Sequence, residues 1–487
     1  MSQESLKNKT IINVLWNFAE KFLNRGLTVI VTLILAWLLT PEDFGLIAML
    51  AIFIDLSFIL VAGGLLTAII RDKDITETDL NTAFYANLSF AVIIYALLYF
   101  SAPYIADFYK QQMLVEMIRV AGTVVFFQSL NVVQQAILQR EIKFKLQLKV
   151  TIPASIITGV VTVILAYLGY GVWALVFQIV VAGILTTFFY WRLNIWRPGF
   201  EFCFKSFRKL FSFGIYVMGD DLAKALFSKV YIIVIAQFFS VSITGLYYFA
   251  EKIKWMLVLL LVNTVKQVSF PVLSKLQDDS KKMHQAFHKV VMLATFIIFP
   301  ILLGLAAFAE LFFQIFLPDK WFGAAVYLQL MAIEALLVPV QTFTSNILLA
   351  KGYSKHVFKL SLVGGFLVVG FLALTLQYGI EAVILGQIAV KILMTLYILR
   401  VTSNLLGYSI MSQMMSFLPN LVIGMAIFIV IYMLIQITQL SPIIELLVFS
   451  LLSLVLYFSI FRFFKVKSYI YFVEVLSSRK KKVQAEN

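Results

Sequence analysis

The chain has 487 residues, of which 62% are hydrophobic and only 13% are charged. A soluble domain of this length cannot bury so much apolar surface, so the composition predicts a membrane protein and excludes a soluble enzyme or binding module. The formal net charge is +14. Because the basic residues are divided among short loops, this charge indicates positive-inside membrane topology rather than nucleic-acid binding.

Apolar segments follow one another along the whole chain, and each is long enough as a helix to cross about 30 Å of hydrocarbon. Lys and Arg concentrate in alternate loops and in the C-terminal tail, which predicts that both termini face the cytoplasm. We predict an all-α polytopic membrane protein of about 14 transmembrane helices, at roughly 11–38, 44–70, 81–106, 113–138, 150–168, 171–191, 210–238, 244–270, 289–312, 324–350, 357–377, 379–401, 413–437 and 442–463.

The second half of the chain repeats the first. Segment 39–46 (LTPEDFGL) recurs 200 residues later as 239–246 (FSVSITGL). Segment 170–175 (YGVWAL) recurs as 378–383 (YGIEAV). A repeat of this length in a helical membrane protein indicates a duplicated helix bundle, which is how many transporters build an alternating-access site between two halves.

The repeat predicts the domain organisation. Residues 1–200 form one six-helix lobe, residues 201–405 form a pseudo-symmetric second lobe, and residues 406–487 add a helix pair and a basic cytoplasmic tail. At the offset of the later repeat segments, Thr187 falls on Thr395, so we expect these two threonines to occupy equivalent positions.

The first predicted helix carries a polar stripe. Asn17, Lys21 and Asn24 recur at intervals of three or four residues, and Arg25 lies near the same face. A charge at the bilayer centre costs at least about 2.5–3.5 kcal/mol. The stripe is therefore expected to face the bundle interior or a water-filled cavity.

The first helices of the second half are also charged, with Asp220, Asp221 and Lys224 followed by Lys252 and Lys254. The surplus of basic residues favours an anionic substrate. The alternative is mutual neutralisation inside the protein, which the i, i+4 spacing of Asp220 and Lys224 would allow. As substrate-binding residues we predict Lys21, Arg25, Lys224, Lys252, Lys254, Asn17 and Asn24.

Carboxylates inside predicted helices are candidates for coupling a proton or sodium ion. They are Asp55, Asp220, Asp221 and Glu334. Glu334 and Lys391 lie at similar depth in later helices, which favours a structural ion pair, with ion coupling as the alternative.

Metal and cofactor sites are not predicted. His284 and His288 would share a helical face, but no third ligand accompanies them, so an amphipathic helix resting on anionic headgroups is favoured over a metal site. The single cysteine, Cys203, lies outside any metal-binding spacing. Since no phosphate-binding loop or nucleophile motif is present, we expect no enzymatic activity.

The repeat, the loop 39–46 and the segment 170–175 resemble Wzx-type polysaccharide flippases of the multidrug/oligosaccharidyl-lipid/polysaccharide (MOP) exporter superfamily. The resemblance implies a MATE-like fold in the bacterial cytoplasmic (inner) membrane. It also implies alternating-access transfer of undecaprenyl-pyrophosphate-linked oligosaccharide from the inner to the outer leaflet, for lipopolysaccharide, capsule or exopolysaccharide synthesis. Glycosyltransferases and a polysaccharide polymerase are the implied protein partners.

The same resemblance implies roles for particular residues. Lys21, Arg25 and Lys224 would line a cationic cavity that holds the pyrophosphate. The extra helix pair resembles that of peptidoglycan-precursor flippases, where it forms a groove for the polyprenyl tail; a packing or dimerisation pair is the alternative. Three other functions stay open at this point: a cation-coupled multidrug exporter of the same superfamily, a non-transporting scaffold for polysaccharide assembly, and a peptidoglycan-precursor flippase.

Overall fold

The structure, a computed structural model, describes residues 23–24, 26–193, 196–276, 279–474 and 477. These residues form helices joined by short turns, and no strand occurs among them. The helices are α1 (Gly26–Leu38), α2 (Pro41–Ala62), α3 (Leu65–Arg71), α4 (Glu77–Tyr109), α5 (Met113–Gly122), α6 (Val124–Arg140), α7 (Phe144–Tyr167), α8 (Val172–Arg192), α9 (Phe204–Phe238), α10 (Val241–Lys275), α11 (Ser280–Ala307), α12 (Ala309–Phe316), α13 (Gly323–Ala335), α14 (Leu337–Ala350), α15 (Ser354–Thr375), α16 (Ile380–Leu406), α17 (Ile410–Met415), α18 (Leu418–Ile437), α19 (Pro442–Phe463) and a short α20 at 467–474.

The predicted all-α polytopic membrane architecture is confirmed. Within the described residues, 11 helical spans are long and apolar enough to cross a membrane. They coincide with eleven of the predicted segments. Helices α9 and α10 have 35 residues each and are not among these 11 spans, and the first segment is described only in part, from residue 23. The count of 14 therefore stays a prediction.

The repeated loop starts a helix in both copies. Thr40 caps α2: its hydroxyl accepts from Asp43 N at 3.3 Å, and the Asp43 carboxylate accepts from Thr40 N at 2.9 Å. This reciprocal capping box, with Pro41 at the first helical position, satisfies donors that a helix start leaves unpaired. In the second copy, Ser240 Oγ accepts from Ile243 N at 3.2 Å. The motif is thus a helix-start signal.

The predicted segment 44–70 is broken at a pair of glycines. The sequence predicts a single helix over 44–70, but α2 ends at Ala62 and α3 begins at Leu65. Gly63 and Gly64, at φ 53° and 67°, occupy the left-handed region between the two helices. Only glycine enters this region without a steric penalty, so the glycine pair terminates α2.

The chain divides into two compact units, Met1–Tyr248 and Phe249–Asn487. Each has an apolar core: Leu65, Ile69, Phe84, Val133 and Leu210 are buried in the first, and Phe287, Phe299, Leu302, Val340 and Phe343 in the second. The first unit includes α9, which the repeat assigns to the second lobe. The lobe boundary at residues 200 and 201 is defined by the sequence repeat and stays a prediction.

Candidate functional site

The polar stripe of the first helix is described at one position. Asn17, Lys21 and Arg25 lie outside the described residues. Asn24 precedes α1, and its Oδ1 accepts a hydrogen bond of 2.7 Å from Ser155 Oγ on α7. The side chain of Asn24 is therefore anchored to a neighbouring helix.

The charges in the middle of α9 form two ion pairs in the first unit. Lys224 Nζ lies 2.5 Å from Asp220 Oδ2 one turn away, with side chains 61% and 47% exposed. Lys229 Nζ lies 2.8 Å from Asp55 Oδ2, which joins α9 to α2. Asp221 is exposed and makes no ion pair with any described residue. The i, i+4 pairing considered for Asp220 and Lys224 is therefore present, and it leaves both groups accessible.

A buried charge cluster lies in the second unit. Glu334 on α13 forms two ion pairs. Lys254 Nζ of α10 lies 3.1 Å from one carboxylate oxygen, and Lys391 Nζ of α16 lies 3.5 Å from the other. The Lys254 and Glu334 side chains are 5% and 6% exposed. Charges so far from water persist only when they are paired. The cluster therefore ties three helices together and carries two cations for one carboxylate.

The predicted pair of Glu334 and Lys391 is thus observed, but the nearer partner is Lys254. Lys254 was assigned to substrate binding from its place on α10, beside the half-buried Lys252. The structure places the Lys254 ammonium on a carboxylate. Its predicted role in binding a substrate stays a prediction.

An equivalent hydrogen bond is found in both copies of the repeat. In the first, Asn131 Nδ2 of α6 donates to Thr187 Oγ1 of α8 at 3.0 Å. In the second, Gln341 Nε2 of α14 donates to Thr395 Oγ1 of α16 at 3.0 Å. The equivalence of Thr187 and Thr395 that the offset predicts is therefore matched by the same contact. Gln341 also donates to the carbonyl of Lys391 at 3.0 Å, so this bond holds the backbone beside the buried cluster.

The repeated loops pack against each other inside the first unit. A Cβ added to Gly45 would overlap the carbonyl of Val241, and a Cβ added to Gly245 would overlap the carbonyl of Pro41. Position 45 corresponds to 245 and position 41 to 241, so the contact is symmetric across the repeat. Only glycine at both positions allows the first turns of α2 and α10 to cross this closely.

A second close crossing joins α9 to the junction of α2 and α3. A Cβ on Gly64 would overlap the backbone of Gly214, and a Cβ on Gly214 would lie 2.6 Å from Gly63 O. Residue Lys209, one turn earlier on α9, binds Asp72 Oδ2 at 2.6 Å and Asp79 Oδ2 at 3.2 Å. Backbone packing and ion pairing thus fix the start of α9 on α3 and α4.

The segment before α9 is also fastened to α4. Trp196 Nε1 donates to Glu77 at 2.8 Å, Gly199 N donates to Asn81 Oδ1 at 2.8 Å, and Cys203 N donates to Thr82 Oγ1 at 3.0 Å. The hydrogen bond from Lys209 holds the pKa of the Asp72 carboxyl below its usual value, and the same bond raises the pKa of Lys209. Residues 196–203, the described part of the connection between the two copies of the repeat, are therefore fixed to α4.

The extra helix pair packs against α11. Tyr457 of α19 donates to the carbonyl of Phe296 at 2.8 Å, and Phe449 and Phe461 belong to the same buried cluster. Beside it lies a small apolar recess lined by Pro300, Gly304, Phe428, Ile431, Leu454 and Tyr457, among others. The pair thus has both a packing face and a recess.

Comparison with known proteins places this architecture in a family. Residues 34–326, more than half of the chain, match the family model described as "Polysaccharide biosynthesis protein". The chain belongs to the polysaccharide biosynthesis protein family. The match includes the repeated loops, the charged helix α9, the buried residue Lys254 and the crossing of Gly45 with Gly245.

Two polysaccharide biosynthesis proteins are similar to this chain in sequence. The chain is 26% identical to the teichuronic acid biosynthesis protein TuaB of Bacillus subtilis (strain 168) over 287 residues, which is 58% of this chain and 59% of TuaB. It is 25% identical to the lipopolysaccharide biosynthesis protein WzxC of Escherichia coli (strain K12) over 395 residues, 80% of each chain. The chain thus spans less than two thirds of the length of TuaB.

Solved structures share the fold of this polysaccharide biosynthesis protein. The lipid II flippase MurJ in an inward closed conformation superimposes with a TM-score of 0.73 at 17% identity, over 93% of this chain and 99% of that one. An inward-facing multidrug resistance MATE family transporter of the MOP superfamily gives 0.60 at 15% identity, over 82% and 99%. The predicted MOP/MATE-like fold is therefore confirmed.

Sequence reasoning missed several of the residues that organise the site in this family member. Lys229 has no role among the sequence predictions, although a cation in an apolar helix is itself a signal for a buried partner. Gln341, Gly214 and Lys209 gave no signal that distinguishes them from other polar or small residues. Their partners lie on helices that the sequence does not place next to each other.

Proposed function

We propose that this chain is a flippase that moves an undecaprenyl-pyrophosphate-linked oligosaccharide from the inner to the outer leaflet of the bacterial cytoplasmic membrane by alternating access. The observation that carries the proposal is the polysaccharide biosynthesis family match over residues 34–326. The fold supports it, because a chain named as a lipid II flippase superimposes over nearly the whole length.

The charge distribution supports an anionic substrate head. Lys224 remains 61% exposed although it is paired with Asp220, so its ammonium group can exchange its partner for a phosphate. Lys21 and Arg25 would add two further cations from the first helix. In an environment of low dielectric constant, contacts between phosphate and Lys or Arg are stronger than at an aqueous surface.

The two glycine crossings support alternating access. The crossing of Gly45 and Gly245 lies at the loop predicted to be outside, whereas the crossing of Gly64 and Gly214 lies at the predicted cytoplasmic end of α9. The two crossings lie at opposite ends of α2, one against α10 and one against α9, and such close backbone contacts are suited to opening one at a time. Both are closed in this structure.

The apolar recess between α11, α18 and α19 suits a polyprenyl tail. Its lining residues are almost all apolar, including Gly304, Ile431 and Leu454. The tail would remain in the hydrocarbon while the saccharide crosses. The two termini would lie in the cytoplasm, and glycosyltransferases and a polymerase would supply and consume the lipid-linked saccharide.

A cation-coupled exporter is the second candidate, favoured by one observation. Asp221 is exposed and makes no ion pair within the described part of the chain, so its carboxylate is available to a proton or sodium ion. In the flippase proposal the same carboxylate, with Asp55 and Asp220, would couple an ion to outward movement of the saccharide. A non-transporting scaffold would need none of these charges.

Complementation of a deletion strain tests the proposal. Lys224→Ala and Arg25→Ala are expected to abolish surface polysaccharide and to cause its lipid-linked precursor to accumulate, while Lys224→Arg restores export. Lys281→Ala, an exposed lysine on α11, is the matched control. Each variant is quantified in the membrane fraction by immunoblot. Wild-type export by both alanine variants would remove the flippase assignment, and increased drug resistance on overexpression would favour the exporter.

A further inference from the structure

A basic cleft lies at one end of the second unit, where α11 and α18 begin and α19 ends. Three of its lining residues are Lys289, Lys465 and Lys467, and the described residues that line it include no Asp or Glu. Its volume is about 690 Å³, within the range of pockets that hold small ligands. The cleft is separate from the buried cluster of Glu334 and from the charges of α9.

The three lysines of the cleft have no counter-ion among the described residues. None of the three makes an ion pair with a carboxylate within the described ranges of the chain. Lys289 Nζ lies 4.7 Å from the centre of the Tyr471 ring, a cation–π contact that positions it without neutralising it. Three ammonium groups converging on one cleft favour an anion.

The floor of the cleft is preorganised. Asn420 donates to Met292 O at 3.0 Å and to Thr295 Oγ1 at 2.9 Å, and it accepts from Ser468 Oγ at 2.7 Å. Asn420 and Ser468 are each 1% exposed. These bonds fix α11, α18 and α20 to one another, and they use the hydrogen-bonding groups of the floor. The lysine ammonium groups are the charged donors that line the cleft beside this fixed floor.

The two histidines predicted to lie on an interfacial helix also border this cleft. His288 is hydrogen-bonded on both ring nitrogens, to Ser412 Oγ at 2.7 Å and to the hydroxyl of Ser416. His284 stacks on Tyr408 with ring centres 4.0 Å apart. Both rings are engaged by protein groups, so they shape the wall of the cleft and join α11 to α17.

Exposed apolar side chains accompany the cleft lysines. Met415 lines the cleft and is 55% exposed, and Phe464 and Ile470, close to Lys465 and Lys467 in the sequence, are 68% and 51% exposed. A soluble anion would leave these side chains uncovered, whereas an anionic lipid would cover them with its chains. The site also lies at the helix ends that the charge asymmetry assigns to the cytoplasmic leaflet, whose lipids are anionic.

We propose that this cleft binds the phosphate headgroup of a membrane lipid. The ammonium groups of Lys289, Lys465 and Lys467 contact the phosphate oxygens, and the hydrocarbon chains lie along Met415 and Phe464. The inference does not rest on the flippase proposal, because a resident phospholipid would stabilise the second unit in any function. A polyprenyl phosphate carries the same chemistry, so the test separates these two sources.

Lipid retention on the purified full-length protein tests the site. The variant Lys289→Gln/Lys465→Gln/Lys467→Gln is compared with Lys281→Gln/Lys355→Gln/Lys359→Gln, which removes three exposed lysines of the same unit outside the cleft. Both lower the net charge by three. Each protein is incubated with phosphatidylglycerol, phosphatidylcholine, undecaprenyl phosphate or inorganic phosphate, and bound molecules are counted by native mass spectrometry.

We expect the cleft variant to retain phosphatidylglycerol at least about tenfold less than the control variant, with phosphatidylcholine unchanged. Selective loss of undecaprenyl phosphate instead would identify the lipid as the carrier and would still support the site. A Lys→Arg version at the same three positions is expected to retain lipid, and it separates loss of charge from misfolding. Equal retention by the two glutamine variants would overturn the proposal, as would binding of inorganic phosphate with no lipid retained.

Discussion

Gly45 and Gly245 occupy equivalent positions in the two copies of the repeat, and each leaves room for the backbone of the other copy's first helical turn. The carbonyl that fills the space beside Gly45 is that of Val241, and the one beside Gly245 is that of Pro41. A duplicated sequence has therefore produced a contact between its own copies, inside one compact unit. Because backbone meets backbone, the contact tolerates no side chain at either position.

Gly45→Ala and Gly245→Ala should each push the first turns of α2 and α10 apart, because the added Cβ overlaps a backbone carbonyl of the other helix. Overpacking at a close contact costs about 1–3 kcal/mol, which lowers the population of the closed crossing by about fivefold or more. The expected result is a large loss of polysaccharide export with normal membrane levels. Gly370→Ala on α15 is the matched control, because a Cβ there would meet nothing within 4 Å. If Gly45→Ala and Gly370→Ala export alike, the crossing is dispensable.

Glu334→Gln should destabilise the second unit. It leaves Lys254, whose side chain is 5% exposed, with no counter-ion, and removing one partner of a buried pair typically costs about 3–5 kcal/mol. The melting temperature in detergent, followed by fluorescence-detected size exclusion, measures the effect. Lys254→Met/Glu334→Gln removes both buried charges and should recover much of the loss. An unchanged melting temperature in Glu334→Gln would show that the cluster is unimportant for stability.

Lys391→Met should cost less than Lys254→Met. Lys391 is 29% exposed and 3.5 Å from the carboxylate, whereas Lys254 is buried and 3.1 Å from it. The longer distance weakens the attraction between the Lys391 ammonium group and the carboxylate, and less protein encloses Lys391 than Lys254. The same melting measurement ranks the two variants, and the reverse order would contradict the geometry.

Thr187→Val and Thr395→Val should have similar effects. Each removes the acceptor of one 3.0 Å side-chain hydrogen bond, from Asn131 and Gln341 respectively. The loss of a buried partner costs about 1–3 kcal/mol. Melting temperatures of the two single variants and of the double variant test both the size and the additivity. If Thr187→Val lowers the melting temperature and Thr395→Val does not, the two equivalent hydrogen bonds do not contribute equally to stability.

The ion pairs of Lys209 should make the start of α9 insensitive to pH between about 5 and 9. The folded pKa of Asp72 is lowered, so its contribution is present above its unfolded value near about 3.9 and is lost as the pH falls through the lower folded value. The folded pKa of Lys209 is raised, so its contribution is present below about 10.4 and is lost as the pH rises through the higher folded value.

Limited proteolysis of the segment before α9 measures this behaviour. Because Lys209 is 46% exposed, each pair contributes at most about 1 kcal/mol, and Asp72→Asn alone should increase cleavage only slightly at neutral pH. Lys209→Gln removes both pairs and should increase it more. Lys205→Gln is the control from the same region. Strong pH dependence of cleavage between 6 and 8 would conflict with these pKa directions.

The sequence predicted the class of protein because hydropathy and charge act along the chain. The helix start at Thr40 follows from local capping chemistry, and the equivalence of Thr187 and Thr395 follows from the repeat offset. The partner of Glu334 could not be predicted in the same way. Helical spacing shows which face Lys254 occupies, but it does not show that α13, 80 residues later, packs on that face.

The close backbone contacts between glycines could not be predicted from the sequence either. Gly64 and Gly214 look like any glycine in an apolar helix until their backbones are seen to meet. The break at Gly63 and Gly64 was missed because hydropathy continues across it. Both failures have one cause: apolar periodicity reports burial, whereas the backbone conformation and the distance between helices depend on tertiary packing.

The two helix starts at the repeat crossing are capped unequally. Thr40 and Asp43 exchange hydrogen bonds in both directions. In the second copy Ile243 stands at the position of Asp43. Ser240 Oγ accepts a hydrogen bond from Ile243 N, but the Ile243 side chain offers no acceptor to Ser240 N in return. The first turn of α10 therefore unwinds after the loss of one capping hydrogen bond, whereas the first turn of α2 must lose two. Motion at a symmetric contact should thus be asymmetric, and backbone amide hydrogen exchange should be faster at residues 241–244 than at 42–45.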